Sequence, residues 1–281
     1  MLTINTNNGA ITAAKAAKNA QKQMDQAMMR LSTGKRLNSA KDDPGSLTVA
    51  IRMTAEINSL TTSLKNASDA QSAVDTGEAA LAEIQVLLLR LRELAVQSST
   101  ETTTTADRAA LNSEVSALET EIDRIGNSTT WGGINLLNGT YSKASPIVFQ
   151  IGPNDGETLS FTMGFVKATA ATTAQGTLGL TSDVLTRTKA SAYISTIDGA
   201  ISVVSSRRGS FGAVSNRLDS TITNIRNMQA NILSAKGQIE DTDYAVETAK
   251  LARAQILLQA ATAMLSQANA SKNLTMQLIN N

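Results

Sequence analysis

The chain has 281 residues, with 25 basic and 24 acidic side chains and neither histidine nor cysteine. These absences exclude disulfides, thiol nucleophiles, imidazole general bases and zinc sites built from those residues. Only 3% of the residues are aromatic, which favours thin, closely packed helices over a thick globular core. The near-neutral charge offers no basic stripe for nucleic acid, and no apolar run reaches the roughly 18 residues of a membrane span. We therefore expect no enzyme, no metal or other cofactor, no nucleic-acid partner and no membrane partner.

Apolar residues near both ends of the chain recur every three or four positions. This spacing predicts a helix at each end with one narrow apolar seam, which must lie against another helix. The two seams can meet if the chain folds back on itself, so we interpret the ends as assembly devices. The terminal seam, as we call this set, comprises Ala13, Ala17, Ala20, Met24, Ala27, Leu31, Leu251, Ala254, Leu258, Ala261, Leu265 and Ala268.

Periodicity alone leaves two interpretations of the terminal seam open. One is an ordinary helical pair within a single chain. The other is a pair that depends on neighbouring copies, because alanine buries little apolar area and a lone pair of such helices is marginal in water. A heterologous contact that does not close would generate a helical filament, and the free subunit would then have disordered ends.

Long helices and one hairpin are predicted between the two ends. Asp43-Pro44 predicts a helix start, and the apolar spacing continues to about Ser98, a rod of about 80 Å. Thr104 and Asp107 predict a capping box for a third helix, which Gly126 would end. Turn residues at 152–156 between two strand-like segments predict a β-hairpin at about 146–163.

The second half mirrors the first. Ser182-Asp183 marks the expected start of another long helix, whose apolar spacing continues to Ile239. Residues 240–243 interrupt the pattern, and Asp243 is placed to cap the last helix. The acidic cluster lacks the glycine and spacing of an EF-hand loop, so it is interpreted as a helix boundary.

Five blocks of this sequence resemble signature segments of the bacterial flagellins, in the order in which that family has them. The blocks are residues 31–43, 91–98, 150–158, 239–245 and 252–269. The resemblance implies a mainly α fold with a long antiparallel helical rod, a terminal coiled coil and a small β-hairpin region. It implies an inner-core domain of residues 1–43 with 240–281, and a rod domain of residues 44–239. Residues 165–182 leave no room for the outer domains of longer members.

The resemblance also implies a function and partners. The chain is expected to be a secreted structural subunit that polymerises into the extracellular flagellar filament for motility. The implied partners are further copies, an export chaperone, the cap protein and hook-junction proteins. Residues 1–10 lack the features of a cleavable signal peptide. The resemblance implies export of the unfolded chain through the flagellar type III apparatus. Arg90, Leu94 and Glu114 match positions at which the vertebrate Toll-like receptor contacts flagellins, although lateral subunit packing is the simpler role.

Three alternatives remain at this point. A hook–filament junction protein shares the terminal pattern but would not polymerise alone into long filaments. A membrane-binding amphipathic protein would need basic polar faces and large apolar anchors, which these alanine-rich seams lack. An enzyme would need an acid–base pair in a pocket.

Overall fold

The computed structural model describes residues 6–141, 145–164, 166–168, 178–180 and 183–279, with side chains as far as Ser271 in the last helix. The stretch 165–182, in which the resemblance predicts no room for an outer domain, lies mostly outside the described residues. The rest is mainly α, as predicted. Its elements are α1 (Asn8–Thr33), α2 (Pro44–Ser98), α3 (Thr105–Ser128), β1 (Thr130–Trp131), β2 (Ile134–Asn135), β3 (Ile147–Gln150), β4 (Thr158–Phe161), α4 (Arg187–Glu240) and α5 (Tyr244–Ile279).

Three predicted helix starts are confirmed by their capping hydrogen bonds. The Asp43 carboxylate accepts hydrogen bonds from the backbone amides of Gly45 and Ser46 at the start of α2. Thr104 and Asp107 form a complete capping box at α3. Asp243 accepts hydrogen bonds from the first amides of α5. Each cap satisfies amides that have no partner within the helix.

The predicted start of α4 is four residues too early. Asp183 lies in the turn before the helix, where its carboxylate accepts from the Leu185 amide and pairs with Lys189 at 2.6 Å. The helix begins at Arg187, and the Thr186 hydroxyl accepts a hydrogen bond from the Lys189 amide. The capping role therefore belongs to Thr186.

Gly126 does not end α3, which continues to Ser128. A Cβ atom at position 126 would lie 2.3 Å from the Val166 carbonyl oxygen. The glycine is therefore required by the close approach of another backbone segment, and the helix ends for other reasons.

The chain divides into two compact units. The terminal unit contains Met1–Ile57 and Ala230–Asn281, and the central unit contains Asn58–Gln229. The large apolar core belongs entirely to the central unit, where α3 and the hairpin contribute to it with parts of α2 and α4. Its largest fully buried side chains include Leu81, Ile84, Leu88, Leu91, Ile122, Leu136, Leu137, Met163, Tyr193 and Phe211.

Two small antiparallel hairpins complete the central unit. In the predicted one, β3 pairs with β4 from Ile147 opposite Phe161 to Gln150 opposite Thr158. The Phe149 and Phe161 rings stack with centroids 5.8 Å apart; Phe161 belongs to the apolar core, and Phe149 packs against it. The sequence predicted only a turn-rich segment after α3, but β1 and β2 pair there around Gly132-Gly133. Both glycines have positive φ, 58° and 82°, as a tight two-residue hairpin turn requires.

Candidate assembly surfaces

Helices α1 and α5 lie against each other in antiparallel orientation. At one end the Asn7 Nδ2 atom donates to the Ala268 carbonyl oxygen at 3.1 Å. At the other end the Arg30 guanidinium contacts the Glu247 carboxylate at 3.0 Å. Beyond α1, Lys35 and Asp241 form an antiparallel bridge. The first and last long segments of the sequence therefore pair within one chain.

The terminal seam is buried or half-buried at every position. The buried members are Ala13, Ala20, Ala27, Ala254 and Ala261, and the half-buried members are Ala17, Met24, Leu31, Leu251, Leu258, Leu265 and Ala268. The 3-4 spacing thus identified the faces through which α1 and α5 pack. Since most of these side chains are alanines, the two helices approach closely and bury little area for their length.

Large apolar side chains remain exposed on the other faces of this helix pair. They are Ile11, Met28, Met29, Val246, Ile256, Leu257 and Met264. Two helices that face each other can each bury only one stripe, so covering these exposed side chains would take another partner. Exposed apolar surface of this extent is typical of interaction sites.

A shallow groove marks the end of the pair where Asn7 meets Ala268. Its volume is about 730 Å³, and its lining includes the small residues Gly9, Ala16 and Ala260. Met264 stands at its side. The groove has room for a large apolar side chain from another molecule.

Backbone and charged contacts join the two turns that flank α1 and α5. The Arg36 amide donates to the Glu240 carbonyl oxygen at 2.7 Å, and the Thr242 amide donates to the Gly34 carbonyl oxygen at 3.0 Å. The Arg36 guanidinium also donates to the Ile239 carbonyl oxygen at the end of α4. A hydrogen bond from Lys35 lowers the pKa of Glu240. These contacts give a physical reason for the signature residues at 31–43 and 239–245.

One ion pair in the α1–α5 contact was not predicted. Glu247 is only 4% exposed, in the first turn of α5, and it accepts hydrogen bonds from Arg30 and Lys250. Burial alone would raise the pKa of Glu247, but those hydrogen bonds outweigh it and hold the pKa below its usual value. Each charge also lies at the helix end that favours it. The signal was available, because Glu247 occupies the position that a seam residue would take four residues before Leu251.

Of the three residues that match the receptor-binding positions of flagellins, two are accessible and one is buried. Arg90 and Glu114 form an ion pair of 2.8 Å between α2 and α3, and both are accessible. Leu94 is 1% exposed and belongs to the core of the central unit. The spacing of four and three residues placed Leu94 on the same helical face as Arg90, but Leu94 is buried in the core whereas Arg90 is exposed.

No helix among the described residues combines the length and apolar character that a membrane span requires. The same residues contain no cluster of acidic side chains suited to a metal ion.

Comparison with known proteins covers both ends of the chain. The bacterial flagellin N-terminal helical region matches residues 4–142, and the bacterial flagellin C-terminal helical region matches residues 194–279. A flagellin of Halalkalibacterium halodurans is 38% identical over 257 residues, with 92% of each chain covered. Flagellin B of Vibrio cholerae is 30% identical, with 99% of each chain covered.

The length of the second alignment is also informative. It extends over 376 positions, whereas this chain has 281 residues, so the Vibrio protein contains segments that this chain lacks. A solved structure of a putative flagellar hook-associated protein from Vibrio parahaemolyticus has a similar fold, with a TM-score of 0.57 over 71% of this chain and 100% of that one. At 16% identity that likeness concerns the fold alone. The chain belongs to the bacterial flagellin family, as a short member, and it is a structural subunit of the extracellular flagellar filament.

Proposed function

We propose that the paired terminal helices form the inner-core domain of the filament, with residues 1–43 and 240–281 contributing to it and residues 44–239 forming the rod. In this proposal the terminal seam holds α1 against α5, and the exposed faces of both helices contact neighbouring copies. The observation that supports it is the set of large apolar side chains that stay exposed on this two-helix pair, including Ile11, Ile256 and Met264.

The energetics of the terminal unit support the same proposal. Its buried apolar residues are mostly alanines, each of which contributes little at about 25 cal/mol per Å². The pair is therefore weakly stabilised in a single chain, and neighbouring copies would supply the missing apolar contacts. Ordering of the ends and addition to the filament would then be one coupled process.

The alternative of a hook–filament junction protein receives less support. Both family regions and the two relatives described above are those of flagellins. We further propose that the chain has no catalytic role, because the functions of this family are structural.

The individual protein partners are proposed from the family and from the exposed surfaces. We propose export through the type III apparatus, with a chaperone covering the exposed apolar residues of α5 before assembly. The cap and hook-junction proteins would contact the growing and basal ends of the filament. The exposed pair Arg90 and Glu114 would contact the vertebrate Toll-like receptor, so clean monomer should activate cells that bear it, and silence of such cells would contradict this assignment.

Seeded polymerisation tests the role of the terminal helices. Purified monomer is mixed with short filament fragments and followed by negative-stain electron microscopy. Wild type should give long uniform tubes, whereas Leu265→Asp and Leu258→Pro should give none while the central unit stays folded by circular dichroism. Thr120→Asp, at an exposed polar position of α3, is the matched control and should polymerise. Long tubes from Leu265→Asp would overturn the proposal, and short caps from wild type would favour a junction protein.

A further inference from the structure

We propose that a cavity between the chain just after β4 and the middle of α4 binds a small organic carboxylate with an apolar body. In this site the Arg207 guanidinium holds the carboxylate, and buried apolar side chains contact the body. Every residue of the site belongs to the central unit. The inference therefore depends neither on the pairing of α1 with α5 nor on the proposed function.

The size and lining of the cavity are those of a small-molecule site. Its volume is about 610 Å³, within the range of roughly 300–1,000 Å³ in which such sites fall. Its apolar lining includes the buried side chains of Phe161, Met163 and Phe211. The exposed residues Ser160 and Ser210 add hydroxyl groups. A mostly apolar lining with a few polar groups is typical of sites that bind an amphipathic molecule.

A glycine in the chain after β4 makes room for the guanidinium beside the cavity. Gly164 has φ 81°, in the left-handed region that favours glycine. A Cβ atom at this position would lie 2.8 Å from the Nη1 atom and 3.0 Å from the Cζ atom of Arg207. Any larger residue would therefore displace the guanidinium from the place where it lines the cavity.

The electrostatics of Arg207 favour an anionic ligand. Burial lowers the pKa of the Arg207 guanidinium, whereas hydrogen bonds to carboxylates raise the pKa of Arg90 and Arg92. A carboxylate that enters the cavity would stabilise the charge that burial destabilises. The planar guanidinium can also donate two parallel hydrogen bonds to one carboxylate, which fixes the orientation of the ligand.

Calorimetric titration of the full-length monomer with 2-naphthoate provides the first test. Its carboxylate suits the guanidinium, and its rings can pack against Phe161 and Phe211. We expect one site per chain and at least tenfold weaker binding of the neutral 2-naphthamide, which lacks the charge-assisted hydrogen bonds. The absence of 2-naphthoate binding at millimolar concentration would overturn the inference, and so would equal affinities for the two compounds.

Variants test whether Arg207 carries the binding. Arg207→Gln should weaken 2-naphthoate binding at least tenfold, and Arg207→Lys should restore part of it, because lysine keeps the charge without the planar fork. Gly164→Ala should weaken binding at least fivefold by displacing the guanidinium. Arg217→Gln, at an exposed position of α4, is the matched control and should change the affinity less than twofold. Circular dichroism checks that each variant is folded, and unchanged affinity in folded Arg207→Gln would contradict the inference.

Methyl NMR of protein labelled at methionine locates the ligand. The Met163 methyl signal, assigned through Met163→Leu, should shift on addition of 2-naphthoate, because Met163 lines the cavity. Met228, which is 38% exposed and lies further along α4, is the internal control and should keep its signal. A shift at Met228 without one at Met163 would place the ligand elsewhere and overturn the inference.

Discussion

Gly126 and Gly209 both lie inside helices, but only Gly126 is required by its surroundings. A Cβ at Gly126 would lie 2.3 Å from a backbone oxygen, whereas a Cβ at Gly209 would meet nothing within 4 Å. We expect Gly126→Ala to lower the free energy of unfolding by about 1–3 kcal/mol, because the backbone must shift. Gly209→Ala should raise it by about 1 kcal/mol through helix propensity. Urea unfolding of both variants checks the opposite signs, and equal effects would refute the assigned role of Gly126.

A second prediction at the residue scale concerns Glu247. Its folded pKa lies below the ordinary value of 4.5, so its ionised form stabilises the terminal unit above about pH 4.5. That contribution is lost as the pH falls through the folded pKa. We expect Glu247→Gln to cost about 1–3 kcal/mol at neutral pH and to reduce the loss of stability on acidification.

Thermal unfolding of wild type and Glu247→Gln over a series of pH values measures this effect. Glu121→Gln is the control, because Glu121 pairs with Arg124 on the exposed surface of α3 and its contribution is screened by water. Parallel pH profiles for wild type and Glu247→Gln would show that the buried pair does not stabilise the terminal unit.

At the scale of elements, the sequence predicted those features whose determining residues lie close together in the chain. Asp43, Thr104 and Asp243 predicted helix starts because a cap binds amides two or three residues away. Other features depended on partners distant in sequence and could not be predicted in this way. Leu94 is buried because it belongs to the core of the central unit, which distant segments build together. The glycine at 126 is explained only by Val166, which lies next to it.

In the candidate site, too, features determined by one helix alone were predicted, and features determined by the contact between two helices were not. The 3-4 spacing predicted which faces of α1 and α5 are covered, because that spacing is a property of each helix alone. The pairing of Arg30 with Glu247 was missed, because the relative register of two helices more than 200 positions apart is set by their contact. The exposed apolar residues of α1 and α5 were also missed, because periodicity indicates which residues share a helical face and not which faces stay uncovered.

The antiparallel register of α1 and α5 can be tested by cross-linking. A Cβ at Gly9 would lie 3.5 Å from the Cβ of Ala268, within the range that a disulfide requires. Because the chain has no cysteine, Gly9→Cys with Ala268→Cys introduces one possible pair. We expect it to oxidise readily and to stabilise the terminal unit by about 4 kcal/mol.

Non-reducing electrophoresis and thermal unfolding measure the two outcomes. The control combines Gly9→Cys with Asn269→Cys, one residue further along α5 at an exposed position, and should cross-link poorly. Equal cross-linking of the two pairs would indicate that α1 and α5 do not keep the register described here.

At the scale of the whole molecule, the two units differ in how they are stabilised. The central unit contains the aromatic and aliphatic core, whereas the terminal unit buries mostly alanines. We therefore expect the fragment 58–229, which is continuous in sequence, to unfold cooperatively by itself and to form no filaments. Thermal unfolding and seeded electron microscopy of the fragment check both statements. Polymerisation of the fragment would remove the terminal helices from the assembly mechanism.

The hydrogen bond between Asn7 and Ala268 joins residues 261 positions apart. Closing so long a loop in an unfolded chain costs about 5 kcal/mol of conformational entropy, and prior folding of the intervening residues lowers that cost. During translation α1 emerges first and stays unpaired until α5 has been made. A polypeptide that stops before α5 can never form this contact. The α1–α5 pair therefore distinguishes complete chains from prematurely terminated ones, and only complete chains can present both helices to a growing polymer.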